Sequence, residues 1–306
     1  MNLRTTLSFM IVFLSAVLAS SPYAYAELKI DLRPDKEAYA LGEPVIAYVS
    51  IKNVGASASK VPENFEPDFM TVRYYVAYDG EEEKRFTPWA IFDSDTTLVS
   101  LDPGQLAFGT ARIFFGADGW TFSKPGKYTL RAAYRSYTSP KFKIEVKKPT
   151  NKQEADAAKL LLDSKEAGYF LLFEGGDHLK EGIAKLNDLA TKFPNSPLSA
   201  YANFALGANE VTEFADYSKN ELRKANPAKA EMYFDRSKDQ LVKSSVYYST
   251  KATDALSEIK KQKGDLDGAK DIQRKFEKDI NEKVSPMKGL TPNIVDAVRN
   301  LSKAKE

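Results

Sequence analysis

The stretch TKFPNSPLSAYANFALG, residues 191–207, decides the fold of the second half of the chain. A charged helix end precedes Pro194, and an alanine-rich segment follows Pro197 and ends in Leu206-Gly207. Proline cannot continue a helix but fits its first turn, so the two prolines mark where one helix ends and the next begins. The stretch therefore predicts the joint of a helical hairpin.

On both sides of this joint, apolar residues recur every three or four positions, as one buried face of a helix requires. The spacing predicts helices over 158–172, 179–193, 201–215, about 227–261 and 266–280, with a short sixth that opens at Thr291-Pro292. We therefore expect residues 153–306 to form an all-helical domain, preceded by a charged linker at 149–152.

In the first half of the chain, between Glu27 and Lys148, the apolar residues instead alternate, which is the period of a strand with one buried face. Asp79-Gly80 suits a hairpin, whereas Pro103-Gly104 and Pro125-Gly126 suit type II turns. About seven or eight short strands in such a segment are typical of an antiparallel sandwich. The fold class is therefore an all-β domain over 27–148 followed by an all-α domain.

The strand segment contains two motifs, AYALGEPVIAYVSIKNVG (38–55) and KPGKYTLRAAYRS (124–136). In these motifs the first half resembles bacterial immunoglobulin-like domains, in which Gly-Glu-Pro opens one core strand and Pro-Gly-x-Tyr opens another. It also resembles the macroglobulin-type sandwich modules of secreted proteins. Either resemblance implies a β-sandwich and says little about function.

The helical segment GDHLKEGIAKLNDLATKFPNSPLSAYANFALG (176–207) is similar to a tetratricopeptide repeat, in which small residues let two helices approach and a proline closes the second. It departs from that pattern by one extra residue after Asp177 and by Glu210 in place of a tyrosine. An unrelated helical bundle therefore stays open as the alternative. The repeat-packing residues that the resemblance implies are Gly182, Leu186, Pro194, Tyr201, Phe204 and Gly207.

The first 26 residues combine Arg4, an apolar core from Leu7 to Ala19, and Ala24-Tyr25-Ala26. This order is typical of a cleaved bacterial signal peptide, so we expect a periplasmic or secreted protein without a membrane span after cleavage. The chain has no cysteine, which excludes disulfides, thiolate chemistry and a lipid anchor on cysteine. Its 44 basic and 42 acidic residues are balanced, which argues against a nucleic-acid surface.

The sequence offers few residues for catalysis. The single histidine, His178, falls in the predicted helix-hairpin turn and is interpreted as a turn or packing residue. Asp93 and Asp95 suggest calcium or a carboxylate pair, but the alternation of an EF-hand loop is missing. No nucleophile elbow or phosphate loop occurs, so we assign no catalytic residue, metal or cofactor.

Trp120 follows Asp118-Gly119 in a predicted loop and is the candidate for stacking on a sugar or peptide; packing in the core is the alternative. The leading functional hypothesis is a non-enzymatic scaffold or adaptor that binds other envelope proteins or peptides. The tetratricopeptide resemblance implies that the partner docks in a groove between the helical hairpins. Glycan or small-ligand binding by the sandwich is the second hypothesis, and a carboxylate-dependent hydrolase is the third.

Overall fold

The computed structural model describes residues 27–91, 97–216, 219–283, 294–296 and 298–299. Within them, β-strands occupy most of the first half and α-helices most of the second, which confirms that the chain combines β-sheets with α-helices. The predicted signal peptide and the Thr291-Pro292 helix start lie outside the described residues. No described helix is both long enough and apolar enough to cross a membrane.

Thirteen strands are found among the described residues of the first half, several of them only two residues long. They are β1 (Leu28–Pro34), β2 (Ala38–Ala40), β3 (Ile46–Asn53), β4 (Ser59–Pro62), β5 (Arg73–Tyr78), β6 (Lys84–Arg85), β7 (Leu98–Leu101), β8 (Leu106–Arg112), β9 (Phe115–Gly116), β10 (Gly119–Trp120), β11 (Gly126–Tyr134), β12 (Tyr137–Thr138) and β13 (Phe142–Lys147).

Two sheets account for the longer strands. One is antiparallel with the order β1-β3-β8, and the other has the order β2-β13-β11-β5-β6 with β12 beside β11. In β1 the burial alternates along the strand, with Leu28, Ile30 and Leu32 buried, as the sequence pattern predicts. The edge strand β2 pairs in parallel with β13, whereas the other pairs of this sheet are antiparallel.

The helices follow as α1 (Lys152–Leu162), α2 (Lys165–Phe173), α3 (Lys180–Lys192), α4 (Pro197–Val211), α5 (Pro227–Ser244), α6 (Val246–Gln262) and α7 (Leu266–Lys283). A short hairpin of β14 (Phe214–Asp216) and β15 (Glu221–Arg223) separates α4 from α5. Residues 294–296 and 298–299 are also helical. Helices that are consecutive in the chain are mostly neighbours in space.

Two of the predicted helices are each divided in two, which corrects the sequence-based boundaries. The predicted helix over 227–261 breaks at Ser245, which has extended backbone and whose side chain accepts a hydrogen bond from the N–H of Tyr248. Ser164 divides 158–172 in the same way, as the cap of α2. Apolar spacing continues across both breaks, so the sequence pattern does not reveal the two capping serines. Ala215, predicted to be helical, lies in β14.

Candidate functional site

Helices α2, α4 and α6 are among those that contact the β-sheet half, and they do so along one seam. Gly168 of α2 lies so close to Phe115 that a Cβ atom there would be 2.2 Å from the ring. Gly42, in the turn after β2, faces Leu198 of α4. The first residues of α6 bond to strand residues, as described next. The sides of these three helices that face the sheets are therefore covered by the same chain, and one continuous apolar core runs through both halves.

At the start of α6, the seam is held by the buried carboxylate of Asp35. Its Oδ1 accepts a hydrogen bond from the hydroxyl of Tyr48, and its Oδ2 accepts one from Ser245 Oγ at 2.8 Å. The Tyr48 oxygen in turn accepts from the N–H of Tyr247 at 3.1 Å. Burial raises the pKa of Asp35 to about 7, although the two hydroxyl donors and Lys36 act to lower it. The seam thus contains a carboxyl that titrates near neutral pH.

Beside α4, the seam is held by Glu43. One of its oxygens accepts from the Lys36 ammonium and from the Tyr201 hydroxyl, the latter at 2.7 Å. The other accepts from the N–H of Ala40 at 2.8 Å. Tyr201, expected to pack between helices, does lie against the Tyr248 ring with centroids 5.1 Å apart. Its hydroxyl nevertheless belongs to the seam, which the repeat pattern did not indicate.

Beside α2, the seam is held by Arg112 at the end of β8. Its Nε lies 3.3 Å from Glu66 Oε1, and its Nη1 donates to the carbonyl of Leu172 in α2. The backbone N–H of Arg112 donates to the other Glu66 oxygen at 3.1 Å, and Thr110 donates to Oε1 at 3.1 Å. Both charged side chains are almost withdrawn from water. A buried ion pair therefore connects the sheets to the helices.

The predicted repeat-packing residues occupy several different environments. Leu186 is fully buried, and Phe204 packs against Phe234 with ring centroids 5.9 Å apart. Gly207 faces the same Phe234 ring. Pro194 is exposed in the connection between α3 and α4, where its carbonyl accepts from Ser199 Oγ.

Gly182 marks the closest approach of α2 and α3. A Cβ on Gly182 would lie 2.6 Å from the carbonyl oxygen of Glu166, a backbone atom that no rotamer change can move. We expect Gly182→Ala to lower the free energy of unfolding by about 1–2 kcal/mol, because separating the helices outweighs alanine's better helix propensity. Urea unfolding measures this. The control Ala184→Gly, on the exposed part of α3, measures how much a glycine in this helix lowers the free energy of unfolding. A Gly182→Ala protein that is more stable than the unsubstituted protein would contradict the prediction.

An exposed group of apolar side chains, which we call the seam patch, joins the two halves at the surface. It consists of Trp89, Tyr169 and Phe173. Trp89 packs edge-on against Tyr169 and Phe173, with ring centroids 5.0 and 5.4 Å apart. Even so, Trp89 is 48% and Phe173 44% exposed. The seam patch is thus an exposed aromatic surface that uses residues of both halves.

Trp120, the predicted stacking residue, is half-buried at the seam. Its indole N–H donates to the carbonyl of Ser164 at 3.3 Å, and its ring packs edge-on against Phe115 at 5.3 Å. It also lines a cleft of about 390 Å³ together with Tyr78 and Tyr128. The structure therefore gives Trp120 a packing role, and its replacement by alanine would disturb the seam as well as the cleft.

A second cleft, of about 460 Å³, opens where the linker meets both halves. Four lysines line it, and we call it the lysine cleft. The lining segments are residues 36–43 around β2, 147–150 from the end of β13 into the linker, Glu154 in α1, 195–198 at the start of α4 and 240–244 at the end of α5.

The other predicted site residues do not converge on a reactive centre. His178 is exposed and stacks on Phe214 with centroids 6.0 Å apart, beside Asp177, which pairs with Arg223. Asp93 and Asp95 lie outside the described residues. Among the residues that the structure describes, no group of three or more His, Asp or Glu side chains could hold a metal ion.

No protein-family profile matches the chain, and no curated protein matches it. Among solved structures, a β-glucosidase from Listeria innocua in complex with gluconolactone is 17% identical over 40% of this chain, with a TM-score of 0.28. A β-glucosidase from Erythrobacter marinus is 16% identical over 40% with a TM-score of 0.27, and the chain spans 16% of the length of either enzyme.

The CARDB domain of a Pyrococcus furiosus protein, determined in complex with di-metal ions, is 15% identical. The match covers 42% of this chain and all of that domain, with a TM-score of 0.25. At such identities and TM-scores, these similarities carry no argument about the fold or chemistry of this chain.

The sequence patterns missed the residues that make the seam. Asp35 and Arg112 were not among the predicted site residues, although Arg112 stands in the apolar run ARIFF, which is a signal of burial. The adjacent Lys147 and Lys148 were visible as a basic pair immediately before the linker. Nothing local indicated that Lys243 and Lys36 would line the same cleft.

Proposed function

We propose that this chain is an exported, non-enzymatic scaffold in which an immunoglobulin-like sandwich and a tetratricopeptide-like helical domain act as one unit. Its partner is an apolar segment of another envelope protein. The proposal keeps the compartment that the N-terminal 26 residues predict and the fold families that the two halves resemble. The observation that carries it is the seam patch.

The seam patch supports partner binding by its aromatic composition and by the ring contacts within it. Tryptophan and other large aromatic residues contribute most of the energy at protein interfaces, since they bury a large area at little entropic cost. Trp89 and Phe173 are held by edge-on ring contacts yet remain nearly half exposed. Because Trp89 belongs to the sheet half and Phe173 to α2, a partner bound there would recognise the assembled pair of domains.

This position differs from the groove that the tetratricopeptide resemblance implies. The sheets already cover the inner sides of α2, α4 and α6 through Phe115, Glu43 and Asp35. A peptide could enter there only by displacing a continuous apolar core. We therefore assign the partner to the seam patch. Ligand stacking on Trp120 has less support, because its N–H and one ring edge are already in use.

The test is a crosslinked pull-down from a bacterial envelope extract with residues 27–306. We expect Trp89→Ser with Phe173→Ser to reduce the recovery of specific partners by roughly tenfold or more, as loss of two interface anchors does. The matched control is Leu222→Ser with Leu266→Ser, two residues that are 55% and 58% exposed outside the seam patch. Equal recovery by both double variants would refute this assignment.

A further inference from the structure

We propose that the lysine cleft is a binding site for a small organic anion with a compact apolar body. The cleft is separate from the seam patch and forms between β2, the linker and the ends of α4 and α5. Its volume of about 460 Å³ lies within the range of small-molecule sites, about 300–1,000 Å³. Neither half of the chain forms this cleft alone.

The charge of the lining is the first argument. The lining contains four lysines, Lys36, Lys147, Lys148 and Lys243, against the two carboxylates of Glu43 and Glu154. Lys36 is already paired with Glu43. None of the other three lysines has a carboxylate within ion-pair distance among the described residues, whereas many other lysines of this chain do. Three uncompensated ammonium groups around one concavity favour an anion.

The two carboxylates of the lining leave these lysines unneutralised because both are engaged elsewhere. Glu43 accepts from Lys36, Tyr201 and the N–H of Ala40. Glu154 accepts from the N–H and hydroxyl of Thr150 and from the side chain of Asn151. Each carboxylate is therefore part of the local structure.

The rest of the lining defines the body of the ligand. Tyr39, Leu41, Pro149 and Leu198 give the cleft apolar walls. The site suits an apolar ring or short chain that bears one anionic group.

An extended peptide fits this cleft less well than a small molecule. Strand addition would need free backbone groups on the edge strand β2, but the N–H of Ala40 donates to Glu43 and its carbonyl accepts from the N–H of Glu43. At the start of α4, the N–H groups of Leu198 and Ser199 also have partners, in Ser196. Recognition therefore relies on the lysine side chains and the apolar walls.

The experiment is calorimetric titration of residues 27–306, at low and high salt, with 2-naphthoate, 2-naphthyl phosphate and the uncharged 2-naphthalenemethanol. We expect both anions to bind at least about tenfold more tightly than the alcohol at low salt, with the difference reduced at high salt. The ratio of the dissociation constants of the two anions then shows whether the site prefers a carboxylate or a phosphate head group.

The variant Lys147→Gln, Lys148→Gln, Lys243→Gln should weaken both anions by about tenfold or more and leave the alcohol unchanged. The control Lys29→Gln, Lys52→Gln, Lys127→Gln changes the net charge equally at exposed sites outside the cleft and should have no such effect. Because all six side chains are exposed, each triple variant is expected to fold, which circular dichroism checks. Each single lysine substitution in the cleft should weaken the binding of the anions about twofold to threefold.

Three outcomes would overturn the proposal. Neither anion binds, the alcohol binds as tightly as the anions, or the two triple variants lose the same amount of affinity for the anions. Tight binding of an oligoglutamate peptide without binding of the naphthyl anions would overturn the small-molecule class. The seam-patch variant Trp89→Ser, Phe173→Ser should bind the anions normally, so failure here and failure of the partner-binding proposal are distinguishable.

Discussion

Replacement of Arg112 by methionine should lower the free energy of unfolding by about 3–5 kcal/mol, the largest effect that we expect from a single substitution in this chain. The reason is the position of Glu66. Without the guanidinium, a carboxylate that is almost withdrawn from water keeps only the Thr110 hydroxyl and one backbone N–H. The carbonyl of Leu172 in α2 also loses its donor.

Urea unfolding of the Arg112→Met protein measures this loss, and two further variants establish its cause. Adding Glu66→Gln should recover much of the stability, because removal of both charges leaves no unpaired ion in the seam. Arg274→Met removes one partner of an exposed ion pair with Asp271 and should cost under about 1 kcal/mol. A loss of under about 1 kcal/mol for Arg112→Met would contradict the prediction, because it would mean that Glu66 is not left as an unpaired buried charge.

The sequence predicted the elements of this structure better than their ends. Alternation placed Leu28, Ile30 and Leu32 on the buried face of β1. Helical spacing found the residues of α5 and α6 but joined them, because the capping serine sits within an unbroken apolar period. Periodicity reports which side of a segment is buried, and it is insensitive to a single residue with extended backbone.

The seam and its clefts were beyond sequence patterns for a different reason. Ser245 meets Asp35 across 210 positions of the chain, and Tyr201 meets Glu43 across 158. The spacing of apolar residues predicts the buried face of each strand or helix within one half. It does not predict which charged residues of one half will contact the other half. The same limit applies to the lysine cleft, which needs Lys147 and Lys243 from two different elements.

The second large effect that we expect is a dependence of the free energy of unfolding on pH, caused by Asp35. Its pKa is raised from the usual 3.8 to about 7, chiefly because burial disfavours the charged carboxylate. The folded state therefore holds the Asp35 proton more tightly than the unfolded state does. The stability that this proton contributes is fully present below about pH 4 and is lost as the pH rises through about 7. The full loss is about 4 kcal/mol, at about 1.36 kcal/mol for each pKa unit.

The substitution Asp35→Asn isolates this contribution. Asparagine keeps an acceptor for the Tyr48 hydroxyl and can donate to Ser245 Oγ, whose hydroxyl proton is free to rotate. Other carboxyls of the chain also titrate, with Glu83 and Glu231 having a lowered pKa, but they are common to both proteins. We therefore expect the stability of Asp35→Asn relative to the unsubstituted protein to increase by about 2–3 kcal/mol between about pH 5 and about pH 8.

Urea unfolding at a series of pH values measures that difference directly. Asp156→Asn, at an exposed position paired with Lys152, is the control and should show a difference that is nearly constant over the same range. A flat difference for Asp35→Asn would mean that Asp35 is ionised in the folded protein and that the two hydroxyl donors compensate its burial. An increase spread over about pH 4 to 7 would instead mean that burial of the ionised carboxyl costs more than the Tyr48 and Ser245 hydroxyl donors return.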